Sequence, residues 1–312
     1  MSEIIDGKNL AKEIREGLKI EAYKLRNNGI VPHLAVIMVG DNDASKVYVR
    51  NKSRACEEIG IEFKEYLLPS TTKQTELIEL IQKLNNDKNI NGILLQSPIP
   101  KPLNIQQAFN TILPEKDVDG FNPYNVGNLC IGQDGFIPCT PLGIMKMFEK
   151  YNIDIDGKKV AIIGRSNIVG KPMAQCMLSK NATVTICHSR TKELKKEVKD
   201  ADIIIAAAGK QNIVTADMVK EGAVIIDVGM NRNSEGKLCG DVDFENIKGK
   251  ASYITPVPGG VGPMTIAMLM SNVIKATKNQ NNFWFGTYLN WKFLKKDRPR
   301  LKITILTLHL QS

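Results

Sequence analysis

Strand-like and helix-like segments alternate along nearly the whole of this 312-residue chain, and that order restricts the fold more than any other feature. A strand, a helix and a further strand in succession build parallel sheets covered by helices. The apolar residues Leu10, Ile14, Leu18 and Leu25 give a helical stripe over 9–27. Residues 33–39 read as a short apolar strand and 44–59 as a second helix. Strands follow at 62–68 and 92–96, with a helix over 72–84 between them. Residues 114–141, rich in Asp, Asn, Gly and Pro, read as a loop region. A second series then begins: helix 142–151, strand 159–163, helix 170–179, strand 183–187, helix 192–198, and strands 202–207 and 223–228. The expected fold class is therefore α/β, in two α/β units with mostly parallel sheets. The first covers 1–140 and the second, a Rossmann-type unit, covers 141–261, with helix 262–278 returning to pack on the first unit.

Composition removes other classes. With 43% hydrophobic and 24% charged residues the chain is neither disordered nor fibrous. No apolar stretch approaches the roughly 20 residues of a membrane span, and the first residues lack the pattern of a signal peptide. A cytosolic protein is expected. Six cysteines scattered singly and three histidines predict free thiols and no metal site. The formal net charge is +9, of which residues 279–312 carry +5. The body is only mildly basic, which suits anionic small molecules as well as nucleic acid. That tail also gathers Phe283, Trp284, Phe285, Tyr288, Trp291 and Phe293. It reads as a terminal extension without catalytic role, with a partner or membrane-surface segment as the alternative.

Strand 159–163 runs into Gly164-Arg165-Ser166-Asn167-Ile168-Val169-Gly170-Lys171-Pro172, a degenerate dinucleotide fingerprint with Ser166 at the second glycine. A P-loop is rejected: five residues separate Gly164 from Gly170 where four are required, and Pro172 replaces the magnesium-binding hydroxyl. The next strand ends in Cys187-His188-Ser189-Arg190-Thr191 without an acid to hold a ribose 2′-hydroxyl. NADP is thus favoured over NAD, with Arg165, Ser189 and Arg190 as donors to its phosphate. Each arginine alone is as readily a solvated loop residue.

Two further segments carry chemistry. On helix 44–59, Ser45, Tyr48 and Lys52 share one face, whereas Val47, Ala55 and Ile59 share another. A tyrosine one turn from a lysine is usually a surface pair, but it also allows a phenol to position an ammonium. The run 255–265, TPVPGGVGPMT, places three prolines and three glycines before an apolar helix. It is either a rigid connection or a shaped loop that presents backbone N–H groups to a ligand.

Together with 39–52 (VGDNDASKVYVRNK), 92–100 (GILLQSPIP), 114–127 (PEKDVDGFNPYNVG) and 138–143 (PCTPLG), these blocks resemble the bifunctional methylenetetrahydrofolate dehydrogenase/methenyltetrahydrofolate cyclohydrolase family. The resemblance runs to about residue 278. The family usually has Leu where this chain has Ser97. The resemblance implies a cleft between the units, tetrahydrofolate derivatives on the first and NADP on the second. It implies Lys52 as the central catalytic group, Tyr48 over the folate ring, Gln96 as the partner of Lys52, and Asp119 as acceptor for pterin N–H groups. For an isolated Asp117-Val118-Asp119-Gly120 a plain turn is the alternative. It further implies Gly164, Arg165, Ser166, Ser189, Arg190 and Thr140 around the cofactor, and Pro258, Gly259 and Gly260 against the substrate. A homodimer without nucleic-acid or membrane partners is implied as well. The rival readings are a shikimate-type two-domain dehydrogenase, a dehydrogenase without hydrolase activity, and a basic binding module that uses the tail.

Overall fold

A computed structural model describes residues 2–283 of the chain. The first series of elements is β1 (Glu3–Ile4), α1 (Gly7–Asn27), β2 (His33–Val39), α2 (Asp43–Ile59), β3 (Glu62–Leu68), α3 (Gln74–Asn86), β4 (Gly92–Leu95), α4 (Ile105–Thr111), α5 (Pro123–Ile131) and α6 (Cys139–Lys150). The second is β5 (Lys159–Ile163), α7 (Gly170–Leu178), β6 (Thr183–Cys187), α8 (Leu194–Val198), β7 (Ile203–Ala206), β8 (Val224–Asp227), β9 (Asn231–Arg232), β10 (Leu238–Cys239), α9 (Phe244–Ile247), β11 (Tyr253–Ile254) and α10 (Val261–Gln280).

Two parallel sheets result. The smaller has the order β3-β2-β4, and the larger β1-β11-β8-β7-β5-β6. Residues 34–39 of β2 and all of β4, β7 and β8 are buried, which is why those strands read as unbroken apolar runs rather than alternating ones. β9 and β10 form a separate antiparallel hairpin.

Strand β1, too short to leave a periodic signal, pairs with β11 in the larger sheet, so the chain starts in one sheet and crosses into the other. Helix α10 packs against α1, α2 and α6 and reaches β4 and β2. One continuous apolar cluster, including Leu18, Val36, Cys56, Met147, Ile162 and Met270, ties the two sheets together through these helices.

Local chemistry explains the helix starts. Asp6 accepts from the Asn9 N–H at 2.9 Å and Asn42 from the Ser45 N–H at 2.9 Å, each satisfying a free donor of the first turn. The segment 114–141, read as loop, contains α5. Asn122 caps it with Pro123 at its first position, and Gly132 ends it in the left-handed region, a pattern that outweighs a loop-like composition. Helix α4 arises the same way from the Asn104 cap. Val47, grouped on one face of α2 with Ala55 and Ile59, is 54% exposed, whereas the other two are buried. A single residue at a helix start is easily rotated off the stripe.

Helix α10 continues past 278 to Gln280, and the Phe283 N–H donates to the Lys278 carbonyl at 2.9 Å. The remainder of the aromatic and basic tail, from residue 284, lies outside the described residues.

Candidate active site

Helix α2 carries Lys52 toward the end of β4. The Lys52 Nζ donates to Gln96 Oε1 at 2.8 Å, and the Gln96 Nε2 donates to the Ser97 carbonyl at 2.8 Å. The second bond fixes the amide, so its oxygen faces the lysine. Gln96 is itself anchored by its backbone N–H on the Ile37 carbonyl of β2 at 2.9 Å.

Asp119 completes this group. Burial drives the Lys52 ammonium below its usual range, and the Asp119 charge opposes the shift. Burial equally drives Asp119 above the usual carboxylate range, opposed by Lys52. The Cys139 thiol, pushed well up by burial and by Asp119, donates to Asp119 Oδ1 at 3.4 Å.

The turn, one of the two readings of residues 117–120, is present in the structure. The Gly120 N–H donates to the Asp117 carbonyl at 3.1 Å, closing a turn that carries Asp119 at its tip. Asp117 is the structural member. Its Oδ2 accepts from the Asn122 N–H at 2.8 Å and from Asn125 Nδ2 at 2.9 Å, and burial pushes its pKa to about 6. Buried Asn272 of α10 donates to the Val118 carbonyl at 2.8 Å and to Ile137 at 3.2 Å, pinning the turn from the other side. The sequence carries no local signal for the roles of Asn125 and Asn272 beyond their polarity, and the Asn122-Pro123 pair signals only a helix cap.

Tyr48 does not meet the Lys52 ammonium. Its hydroxyl donates to Met230 Sδ at 2.6 Å, across to the segment after β8. Tyr48 lines a cavity of about 650 Å³ together with Asn51, Met230, Pro258, Gly259 and Gly260, whereas Lys52, Gln96 and Asp119 are absent from its wall. The helix therefore presents two faces: Lys52 toward β4 and Asp119, and Tyr48 toward the 255–265 loop. In that loop Gly259 has φ 109°, a conformation that favours glycine. The Gly259 carbonyl accepts from the Lys8 N–H at 2.9 Å, which fastens the loop to the start of α1.

The loop after β8 has its own support. Buried Asp227 accepts from the Gly229 and Asp241 N–H groups at 2.9 Å and from Val242 at 3.0 Å. Buried Asp241 accepts from the Ala208 N–H at 2.6 Å, Gly209 at 2.9 Å and Lys210 at 2.8 Å. The two acids escaped the sequence reading because their partners are backbone groups from distant segments.

The nucleotide end lies at the carboxyl ends of β5 and β6. Gly164 has φ 132°, and a Cβ there would meet the Ala207 carbonyl at 2.2 Å, so only glycine closes this turn. Ser166 Oγ accepts from the Val169 N–H at 3.1 Å, shaping the entry to α7. Ser189 and Arg190 follow β6, where the His188 N–H donates to Thr191 Oγ1 at 2.8 Å. Arg165, Ser166, Ser189 and Arg190 are all exposed, and neither arginine has an ion-pair partner among the described residues. Two unpaired cations and two hydroxyls, with no acid on the last turn of β6, fit a phosphorylated ribose. Thr140 makes a different contact, its hydroxyl lying 2.9 Å from that of Thr265 on α10. Among the described residues no cluster of His, Cys, Asp or Glu is arranged to hold a metal ion, and no helix is long and apolar enough to cross a membrane.

Two family models match this arrangement: the tetrahydrofolate dehydrogenase/cyclohydrolase catalytic domain over residues 5–119, and the NAD(P)-binding domain of the same family over residues 138–281. The chain belongs to the tetrahydrofolate dehydrogenase/cyclohydrolase family. It is 55% identical over 278 residues to the bifunctional protein FolD of Agathobacter rectalis, covering 89% of this chain and 100% of that protein. The crystal structure of the Campylobacter jejuni enzyme FolD, a methylenetetrahydrofolate dehydrogenase/cyclohydrolase, superimposes with a TM-score of 0.89 at 51% identity, covering 89% of this chain and 99% of that one. The Trypanosoma brucei enzyme, solved with NADP cofactor and an inhibitor, gives a TM-score of 0.86 at 36% identity, covering 89% and 98%. Family membership sets aside the shikimate-type and binding-module alternatives.

Proposed function

We propose that Lys52, Gln96 and Asp119 form the folate end of an active site in an enzyme with two successive activities. It oxidises 5,10-methylenetetrahydrofolate with NADP, and it hydrolyses the methenyl product to 10-formyltetrahydrofolate. The observation that carries the residue assignment is the half-buried Lys52 held at 2.8 Å by Gln96 beside Asp119.

Asp119 suits the pterin. Its Oδ1 takes only the weak S–H of Cys139, so acceptor capacity is left for the amino and ring N–H groups of a bound pterin. Held there, the bridging carbon of the substrate faces the nucleotide unit. In the first step that carbon loses a hydride, and its two flanking nitrogens share the positive charge, so orientation matters more than proton transfer. Bound NADP supplies the hydride acceptor, and Gly164, Arg165, Ser166, Ser189, Arg190 and Thr140 hold it. A lysine with a lowered pKa is also less repelled by the cation that develops.

Hydrolysis needs a base. Water attacks the cationic carbon and the proton it loses passes to neutral Lys52 Nζ; the carbon–N5 bond then opens as N5 takes that proton from the Lys52 ammonium and the adduct's hydroxyl gives up its own proton to solvent, which leaves the formyl group on N10. Gln96 Oε1 accepts one N–H of the amine, which turns the lone pair of Nζ away from the glutamine. Tyr48 packs over the folate ring, while Pro258, Gly259 and Gly260 close the cleft. With this reading go a folate-binding unit over 1–140 joined by helix 262–278, an NADP-binding unit over 141–261, a homodimer, and a cytoplasmic location.

The test follows the two absorbances together. Purified protein given methylenetetrahydrofolate and NADP forms NADPH, and methenyltetrahydrofolate given alone disappears faster than without enzyme. Hydride transfer without accelerated hydrolysis would reduce the protein to a dehydrogenase.

A further inference from the structure

Two buried acids stand beyond the carboxyl ends of the larger sheet. Asp227 closes β8 and Asp241 follows β10; they are 3% and 0% exposed. Neither has an ion-pair partner among the described residues, and backbone N–H groups take the place of cations. Asp227 accepts from three of them and Asp241 from three more, with Asn231 Nδ2 as a further donor to Asp241 at 2.8 Å. Donors gathered in this way make a buried carboxylate tolerable.

The three N–H groups on Asp241 come from consecutive residues, Ala208, Gly209 and Lys210, with Gly209 at φ 64°. Successive N–H groups turned inward through a left-handed residue make an anion-binding concavity. Here the chain's own carboxylate fills it, so the concavity fixes the loop after β7 and is not open to a phosphate. The fit has no slack. A Cβ on Gly229 would meet Asp241 Oδ1 at 2.3 Å, and one on Gly240 would meet Asp227 Oδ2 at 1.8 Å. The Asp227 N–H also donates to buried Thr255 Oγ1 at 2.7 Å, where the 255–265 loop begins. The loops after β7, β8 and β11 thus share one brace.

Location gives the brace its role. Strand β5 has β6 on one side and β7, then β8, on the other. In a sheet of this kind a dinucleotide lies across the carboxyl ends of the strands, one half to each side of the first strand. With Arg165, Ser189 and Arg190 on the β6 side taking the 2′-phosphate, the nicotinamide half runs toward the ends of β7 and β8. Those are the ends that the brace holds.

We infer that Asp227 and Asp241 are positioning residues for the nicotinamide half of NADP, acting through the loops they hold. This rests on the two-activity reading above and goes beyond it by separating the activities. Hydrolysis of methenyltetrahydrofolate uses Lys52, Gln96 and Asp119, which stand outside the larger sheet, and needs no nicotinamide. Damage to the brace therefore falls on hydride transfer.

The test is D241N in the full chain. In the wild type Oδ2 faces the Ala208 and Gly209 N–H groups, and Oδ1 faces Lys210 and Asn231. Whichever way the new amide turns, its NH2 group points at donors. Calorimetric titration with NADP is expected to give a Kd about tenfold above wild type, with the fitted stoichiometry reporting the folded fraction. The ratio of dehydrogenase to hydrolase rate in the same sample falls by about tenfold. Loss of folded protein does not move that ratio, since unfolded chains contribute to neither rate. N231A removes one donor from Asp241 and keeps the carboxylate. It should raise the NADP Kd by about threefold, and it decides the matter if D241N does not fold. An unchanged Kd, or both activities falling by one factor, overturns the inference and leaves the pair a stabilising element only. A wild type that binds NADP but does not oxidise methylenetetrahydrofolate removes the parent reading, while the Kd of D241N still tests the brace.

Discussion

Gln96 holds Lys52 with an amide that has no rotational choice: its oxygen takes the lysine N–H at 2.8 Å and its nitrogen is already committed to the Ser97 carbonyl at 2.8 Å. The amide therefore fixes where Nζ sits, while burial, opposed chiefly by Asp119, sets how its protonation equilibrium lies. Replacing Gln96 by Glu leaves the shape and adds a negative charge, which raises the lysine pKa. Because the base acts in its neutral form, the hydrolase rate rises with pH through the lowered Lys52 pKa. In Q96E that rise moves to higher pH, and the hydrolase rate at pH 7 falls by about tenfold or more. A pH–rate profile of methenyl hydrolysis reads this directly, and an unmoved profile would remove Gln96 from the role.

The Tyr48 hydroxyl donates to Met230 Sδ at 2.6 Å, a contact from α2 to the segment after β8. If the contact is specific, Y48F and M230L lose the same interaction, and the double variant is less impaired in stability than the sum of the singles. The coupling expected for such a contact is about 0.5–1 kcal/mol. Additive losses in urea unfolding would show that the two side chains merely lie close.

Asp117 is buried, and its pKa is pushed to about 6 from an ordinary value of 3.8. A raised pKa means that the fold favours the protonated acid, so the stability this group contributes is present below the unfolded value and lost as pH rises through the folded one. Between about pH 4 and pH 6 it therefore lowers the melting temperature as pH increases. D117N keeps an acceptor for Asn122 and Asn125 without the charge, and its melting temperature should vary less over that window. An unchanged pH dependence would place the titration elsewhere.

Arg165 and Arg190 have no acidic partner among the described residues, so a cofactor phosphate is their natural counterion. R165A and R190A should each raise KM for NADP by about tenfold while leaving KM for NAD nearly unchanged, since only NADP has the 2′-phosphate. Equal effects on both cofactors would assign the arginines to the shared pyrophosphate.

Much of this protein is legible from its residues, for a physical reason. Strands β2, β3, β5 and β6 have the predicted ends because Pro, Gly, Asn or Asp stands at or near their boundaries. The Lys52 to Gln96 pairing was expected from family resemblance, and the geometry supplies the bond. What stayed hidden depends on distant segments meeting. Met230 reaches Tyr48 across 182 positions, and Asn272 reaches Val118 across 154. Neither has a neighbour in sequence that marks it. The phenol of Tyr48 does not position the Lys52 ammonium, because i and i+4 side chains on one helix can still turn to different partners, here Met230 and Gln96. Helices α4 and α5 were missed because the Asn caps and the Gly that delimit them are also the residues of loops.

The claim on which the chemistry depends is that Lys52 supplies the base for hydrolysis but is not needed to carry the hydride. Lys52→Met keeps a half-buried, unbranched side chain and removes the ammonium. Methenyltetrahydrofolate hydrolysis by this variant should fall to the rate without enzyme, while NADP reduction by methylenetetrahydrofolate remains measurable. Hydrolysis persisting at near the wild-type rate in K52M would contradict the account.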